Sequence, residues 1–386
     1  MPSAVEILFD WNDEHMVCDS MVRWPIWAQG RLCEKRKRRA VGVGLRYAIT
    51  AVAAVYLAMS LAGCNGSSGY PEVRPATKPL PRLKIAQNGR YLTTAHGAPF
   101  FWLADTAWRL IQRSSLVDAF NQPAVVRYFA ARRAQGFNVI LTVAARSGGV
   151  RNAAGQPAFV AGDFNRPDII EGPANDYWDY CDAIIDLVRA HGMYAALLPL
   201  WLNEIEKGHP MERDPSIAYR YGRFLGERYR DRAHIIWIMG GDPHREGRDV
   251  DRPERLRMVR ALAEGIADGT NGTGGYDHQA DWSSTLMSFH PRGGGHSSSE
   301  YLHAEPWLDF NMIQTTSRFN FTNYETVTAD LAKKPPKPTI DSEVAYEYSL
   351  SLRSVESCDG RIGPWEVRRA AYWSVFAGSF GHTYGH

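Results

Sequence analysis

The chain is poor in the residues and patterns that would commit it to several common chemistries. Only five cysteines occur in 386 residues, and with Cys18, Cys33 and Cys64 set aside near the N-terminus, Cys181 and Cys358 stand alone in the body. Two isolated cysteines make neither a disulfide framework nor a metal finger and are expected as small buried apolar side chains. Charge of one sign is missing too. Residues 1–64 hold eight of the 44 Lys and Arg and six of the 42 Asp and Glu, which leaves 36 against 36 in the remainder. That balance gives nucleic acid no electrostatic reason to bind. No G-x-G-x-x-G follows an early strand-like run, and neither H-E-x-x-H nor the serine-hydrolase elbow G-x-S-x-G occurs, so a dinucleotide, a zincin-type metal and a serine nucleophile lose their usual signatures. No cofactor and no metal are expected.

What the N-terminus does contain is a compact local signal. The basic run Lys35-Arg36-Lys37-Arg38-Arg39, followed by Arg46, precedes an apolar stretch over residues 48–62, too short to span a bilayer comfortably but suited to a signal-peptide core. It ends in Leu61-Ala62-Gly63-Cys64, which resembles the lipobox of bacterial lipoproteins, where the Cys is lipidated after cleavage just before it. The reading is a lipid anchor at Cys64 in the cell envelope, with Asn65 compatible with transport to the outer membrane; the rival is an uncleaved anchor or a buried helix. The forty residues before the apolar core are long for a signal peptide, which points to a translation start near Val41 or Val43. Residues 65–82, rich in Gly, Ser and Pro, read as a spacer, leaving 83–386 as the folded body.

In that body, turn signals at Asn88-Gly89 and His96-Gly97 predict a small β-ornament. Beyond it, eight apolar strand-like runs follow, at residues 100–104, 137–143, 194–200, 235–239, 286–289, 310–313, 338–340 and 378–384. Stretches with apolar residues at three- and four-residue steps alternate with them, at 123–135, 177–191, 217–229 and 254–267. Strands alternating with helices predict a parallel sheet, and eight of them predict closure into a (β/α)8 TIM barrel; an open doubly wound sheet is the alternative.

In such barrels the site is assembled where the strands end. The polar and aromatic residues there are Asp105, Thr106 and Trp108; Trp201, Asn203 and Glu204; Asp242 and His244; His290; Gln314, Thr315 and Ser317; Asp341, Glu343, Tyr346 and Glu347; and His382, Tyr384 and His386. Cleaving a glycosidic bond needs one carboxyl to protonate the leaving oxygen and a second as nucleophile or as base for water. Asp242 after the fourth run and Glu343 after the seventh are the candidate pair. Asp242 could instead cap the next helix or join a loop ion pair, and Asp341 or Glu347 could take the role given to Glu343. Asp105, Trp108, Trp201, His290, Gln314, Tyr346, Glu347, His382 and Tyr384 are the candidate sugar contacts, though Trp108, Trp201 and Tyr346 could equally be rim packing. Trp102 and Trp237, inside their runs, are expected in the core. A metal bound by His290, His382, His386 and Asp105 would be a different chemistry, but no His-x-His follows the first strand.

Several of these segments are long and specific. NGRYLTTAHGAPFFWLADTAW, GFNVI, YGRFLGERYRDRAHIIWIMGGD, SFHPRGGGHSSS, WLDFNMIQ and RRAAYWSVFAGSFGHTYGH together closely resemble the apiosidase-like family of barrel glycoside hydrolases over residues 83–386. The resemblance implies a barrel and an exo-acting glycosidase, with release of apiose from pectin as the activity known in the family and carbohydrate as the partner. It puts the acid at Asp242 and the second carboxylate at Glu343 in DSEVAYE. The family more often has D-G-E-P-x-Y-E there, so Ser342 and Val344 depart from it while both acids and Tyr346 remain. Placement at the fourth and seventh strands leans towards retention, with Asp242 as acid/base and Glu343 as nucleophile. A non-catalytic barrel binding surface glycan or matrix is the alternative function. Family members continue past GHTYGH into a further helix and usually a small β-domain, so the expectation is a barrel truncated after the eighth strand and less stable than a longer homologue.

Overall fold

The computed structural model describes residues 80–114, 124–172, 174–243, 252–315, 322–349 and 360–386. The apolar segment, Cys64 and nearly all of the spacer lie outside the described residues, as do His244, Ser317 and Cys358. Among the described residues no helix is long and apolar enough to cross a membrane.

Three two-residue strands, β1 (Lys84–Ile85), β2 (Leu92–Thr93) and β3 (Pro99–Phe100), pair antiparallel in that order. The turns between them use Gly89 and Gly97 at φ 68° and 81°, a left-handed conformation that glycine adopts without Cβ strain. This is the small ornament expected from the two turn signals. It has a structural purpose: Leu83 and Leu92 join the buried cluster inside the barrel, and the Tyr194 hydroxyl donates to the Pro81 carbonyl at 2.7 Å. One end of the barrel is therefore plugged, and the opposite end is left for the site.

The eight runs become eight parallel strands: β4 (Trp102–Thr106), β5 (Val139–Val143), β6 (Tyr194–Leu198), β7 (Ile235–Gly240), β8 (Met287–His290), β10 (Asn311–Gln314), β11 (Thr339–Glu343) and β12 (Gly381–Tyr384), with β9 (His296–Ser297) as a short addition. Phe100, at the start of the first run, belongs to the ornament instead. Runs such as VILTV and YAALL are buried at every position because one face lines the barrel and the other meets helices. Alternate residues sort accordingly. Trp102, Ala104, Val139, Leu141, Ala196, Ile236, Ile238, Met312 and Ile340 pack inside, whereas Ile140, Ala195, Leu197, Trp237 and Met239 pack outside against helices.

The ladder is not continuous. Six strands run β12-β4-β5-β6-β7-β8, and β11-β10-β9 form a second sheet. The loop after β8 folds back as β9 and pairs antiparallel with the upper end of β10, taking the edge that β8 would occupy. Below it the Asp309 N–H donates to the Met287 carbonyl at 2.9 Å and the Ser288 hydroxyl to the Phe310 carbonyl at 2.6 Å. The other seam is crossed by the Phe380 N–H to the Thr339 carbonyl at 3.2 Å. The barrel fold holds, with two seams in place of full pairing.

The main helices are α1 (Ala124–Ala134), α2 (Tyr177–Ala190), α3 (Pro215–Tyr229), α4 (Pro253–Asn271), α5 (Asn323–Leu331) and α6 (Pro364–Phe376). Asp176 caps α2 by accepting from the Trp178 and Asp179 N–H groups, and Asp214 caps α3 with Pro215 in its first turn. Cys181 is a buried free thiol in α2. Helices α3 and α4, which flank β7 in sequence, cross at backbone contact: a Cβ on Gly222 would sit 2.3 Å from the Leu262 carbonyl oxygen, and one on Gly265 only 2.1 Å from that of Tyr219.

Candidate active site

The end of β7 is shaped by its glycines. Gly240 and Gly241 adopt φ 95° and 109°, and a Cβ on either would collide, with the His290 carbonyl oxygen at 2.3 Å or the Trp201 ring at 2.9 Å. The chain can thus press between β8 and the loop after β6. Asp242 follows at φ 52°, a conformation rare for residues other than glycine and best tolerated by Asn and Asp. Its Oδ1 accepts the Gly293 N–H at 3.3 Å. Strain of this kind persists where the surroundings over-determine it, as at ligand sites.

Glu343 closes β11. A register shift between Ile313 and Gln314 pairs Gln314 with Glu343, and it separates Glu343 from the phase of Asp341. Glu343 Oε2 lies 3.0 Å from His290 Nε2, in an approach off the axis of a straight hydrogen bond. Tyr346 also contacts Glu343, and its hydroxyl accepts the Trp108 indole N–H at 2.9 Å. Burial, reinforced by the Glu343 carboxylate, holds the Tyr346 hydroxyl well above the usual phenol range, so it stays a protonated donor. Around this carboxylate the aromatic rings close up. Trp108 meets Trp201 edge-on at 4.8 Å and His290 at 5.1 Å, while His290 lies 5.9 Å from Trp201. Gln314 is buried alongside, and its Oε1 has no hydrogen-bond partner among the described residues.

Of the expected residues, the structure gathers Trp108, Trp201, His290, Gln314, Glu343 and Tyr346 at one end of the barrel, and puts Asp242 at the adjoining end of β7. Asp105, His382 and Tyr384 are elsewhere, and the reason is strand alternation. In the register of β12 on β4, Thr383 pairs with Ala104 and accepts the Trp102 indole N–H at 3.2 Å, which fixes Thr383 as inward. Its neighbours His382 and Tyr384, paired with Leu103 and Asp105, face outward. Asp105 is held by the Tyr128 hydroxyl and, at 2.7 Å, by Arg132 Nε, both from α1. Burial raises its pKa despite the opposing Arg132 charge. Tyr384 donates to Glu347 Oε2 at 2.6 Å, which ties up Glu347 as well. His382 is buried, and burial pushes its imidazole down to about 4. The structure places these four at the strand–helix interface and in the loop that binds it, apart from the cluster around Glu343.

The rivals of Glu343 are otherwise engaged. Asp341 is completely buried, accepts from the Thr315 hydroxyl at 2.6 Å and Asn323 Nδ2 at 3.0 Å, and is pushed up to about 6 by burial. Ser342 and Val344, where the sequence departs from the family pattern, are both buried, with the Ser342 hydroxyl donating to the Ile313 carbonyl at 2.9 Å. Among the described residues no three His, Cys, Asp or Glu side chains gather as a metal site.

One residue at this mouth has no counterpart among the sequence candidates. Arg146, three residues past β5, lays its guanidinium 4.7 Å over the Trp201 ring, bonds Glu204 Oε1 at 3.2 Å, and feels the charge of Asp242. Burial lowers its pKa from the ordinary guanidinium value.

A parallel barrel with acids at the ends of its fourth and seventh strands, beside a cage of tryptophans, has the architecture of a glycoside hydrolase. The chain belongs to the family described as Apiosidase-like, catalytic domain, whose model matches residues 86–386. Among solved structures it is similar to a glycoside hydrolase at 32% identity and TM-score 0.65, covering 79% of this chain and 65% of that one. It is similar to a glycoside hydrolase family 5 protein from Bacteroides vulgatus ATCC 8482 at 33% identity and TM-score 0.65, covering 79% and 62%. This chain therefore spans less than two thirds of the length of either. An endo-1,4-β-mannanase from Rhizomucor miehei, 13% identical with a TM-score of 0.50 over 78% of this chain and 90% of that one, shares the fold alone. No curated protein sequence matches.

Proposed function

We propose that this chain is a retaining exo-glycosidase that removes a terminal sugar, with apiose as the leading candidate, from pectic or similar polysaccharide side chains. The observation that carries the reading is Glu343, aimed at the barrel mouth between His290 and Tyr346 and walled by Trp108 and Trp201, with Asp242 at a strained strand end nearby. Glu343 attacks the anomeric carbon as Asp242 passes its proton to the departing oxygen, which breaks the glycosidic bond and leaves the sugar esterified to Glu343. Asp242 then takes a proton from water; the water oxygen attacks the anomeric carbon, and the Glu343 carboxylate leaves. Trp201 and Trp108 offer ring faces or edges to the sugar, and Gln314 offers a buried amide to a hydroxyl.

Incubation with pectic oligosaccharides tests this. Release of a single monosaccharide whose first-formed anomer keeps the starting configuration, followed by NMR, is expected. Binding without release would instead assign a glycan-binding barrel, and an inverted first product would overturn the nucleophile.

The lipoprotein signal supports a second part of the proposal, attachment to the cell envelope through Cys64. Cys64→Ser is expected to abolish incorporation of labelled fatty acid and to shift the protein out of the membrane fraction; unchanged labelling would refute it.

A further inference from the structure

Trp108 stands in the aromatic cage around Glu343, yet its directed contact is with a neighbour of that carboxylate. Its indole N–H donates to the Tyr346 hydroxyl at 2.9 Å. An indole has no acceptor, so at this contact Tyr346 can only accept. The phenol carries a single proton, and Tyr346 also hydrogen-bonds Glu343, where an ionised carboxylate can only accept. The two bonds therefore run one way: Trp108 gives to Tyr346, and Tyr346 gives to Glu343. The Thr106 hydroxyl approaches the same phenol oxygen from the end of β4.

Three strand ends fix this geometry. Tyr346 follows Glu343, the last residue of β11, by three positions, and Trp108 lies two positions past β4. Gly385, directly after β12, has no room for a side chain, because a Cβ there would stand 2.1 Å from both Cδ1 and Cε1 of the Tyr346 ring. The backbone is tied at the same point. The Glu347 N–H donates to the Gly385 carbonyl at 2.9 Å, and the Tyr384 hydroxyl holds Glu347 Oε2 at 2.6 Å. Trp108 in turn is wedged edge-on against Trp201 and His290, which leaves the indole little room to swing.

We propose that Trp108 is a positioning residue whose N–H, with Gly385 seating the Tyr346 ring, aims the Tyr346 proton at Glu343. The inference rests on Glu343 as the nucleophile. A phenol with a free acceptor side can turn its proton about the C–O bond towards another oxygen. With that side filled, the direction left is the carboxylate. The donor then holds the Glu343 oxygen for attack and already faces it when the carboxylate charge returns as the sugar departs.

The test is a double-mutant cycle on the pectic oligosaccharide. Trp108→Phe keeps an aromatic ring beside Trp201 and His290 but removes the N–H, and is expected to lower kcat about tenfold with KM within about twofold. Tyr346→Phe should lower kcat by roughly tenfold to a hundredfold, the range of one hydrogen bond to a charged group. Adding Trp108→Phe to it should cost less than about twofold more, because the bond that the indole serves is already gone. Losses that multiply in the double variant would overturn the positioning role. Binding supplies a second readout: in Glu343→Gln, Trp108→Phe should leave the Kd for the oligosaccharide, measured by calorimetry, within about twofold. A Kd weakened about tenfold would give the N–H to the sugar and overturn the proposal too. Gly385→Ala, which displaces the Tyr346 ring, is expected to lower kcat at least as far as Trp108→Phe, and an unchanged kcat would overturn its part. Wild-type turnover in Glu343→Gln removes the nucleophile assignment itself, whatever Trp108 does.

Discussion

Glu343→Gln is expected to lower kcat by at least about ten-thousandfold, roughly 5.4 kcal/mol of transition-state stabilisation, with little change in thermal midpoint. The amide keeps the shape of the side chain and its contacts with Tyr346 and His290, so folding has little reason to respond. What disappears is the nucleophilic oxygen, and no neighbour can replace it: Asp341 is sealed behind Thr315 and Asn323, and Glu347 is held by Tyr384. Asp242→Asn is expected to fall by roughly a hundredfold to ten-thousandfold, the range of a general acid. Azide then distinguishes the two roles by stereochemistry. In Glu343→Ala, azide enters the face vacated by the carboxylate and yields a glycosyl azide of inverted configuration. In Asp242→Ala it displaces Glu343 from the covalent intermediate and yields the retained one. Activity that stays undiminished in both Asp242→Asn and Glu343→Gln refutes the pair.

Much of this architecture is legible in the sequence, because short apolar runs that alternate with stretches of three- and four-residue periodicity can be buried together in few ways. VILTV, YAALL and IIWIMG each form a barrel strand, and the stretch at 177–191 forms α2 with its boundaries nearly unchanged. What a sequence does not convey is the face on which a strand-end side chain lies. Where both faces are buried, the alternation of polar and apolar residues disappears, and nothing local fixes the phase. Asp105, His382 and Tyr384 end up apart from the cluster around Glu343 for that reason. Their phase follows from Trp102 meeting Thr383 across 281 positions of sequence. Glu343 is legible at the right strand end, but the register shift that separates it from Asp341 has no local sequence signature. Arg146 leaves no signal either. It follows β5 in the plain segment AARSGG, and its part in the mouth emerges only when Trp201, from the loop after β6, lies beneath it.

The same limit applies to the crossing of α3 and α4, where helix propensity and packing make opposite forecasts. Judged by propensity, Gly265→Ala should stabilise α4 by roughly 0.8–1 kcal/mol. A Cβ there, however, would stand 2.1 Å from the Tyr219 carbonyl oxygen and 2.8 Å from the Arg223 nitrogen, and the matching contacts at Gly222, Gly226 and Gly269 allow no easy slide past it. Overpacking of this kind costs about 1–3 kcal/mol, which exceeds the propensity gain. Net destabilisation is therefore expected for Gly265→Ala and a larger one for Gly265→Val, seen as a fall of roughly 2–4 °C in midpoint per kcal/mol for a domain this large. Gly275→Ala, where a Cβ meets nothing within 4 Å, is the control and should change stability by no more than about 0.5 kcal/mol. The consequence extends to chemistry, because α3 leads into β7 and α4 follows it, and Asp242 lies two residues past the end of β7. Forcing the helices apart tilts that strand end, so Gly265→Ala should lower kcat at temperatures where it is still folded. A stabilised Gly265→Ala protein would mean that the two helices do not touch at their backbones.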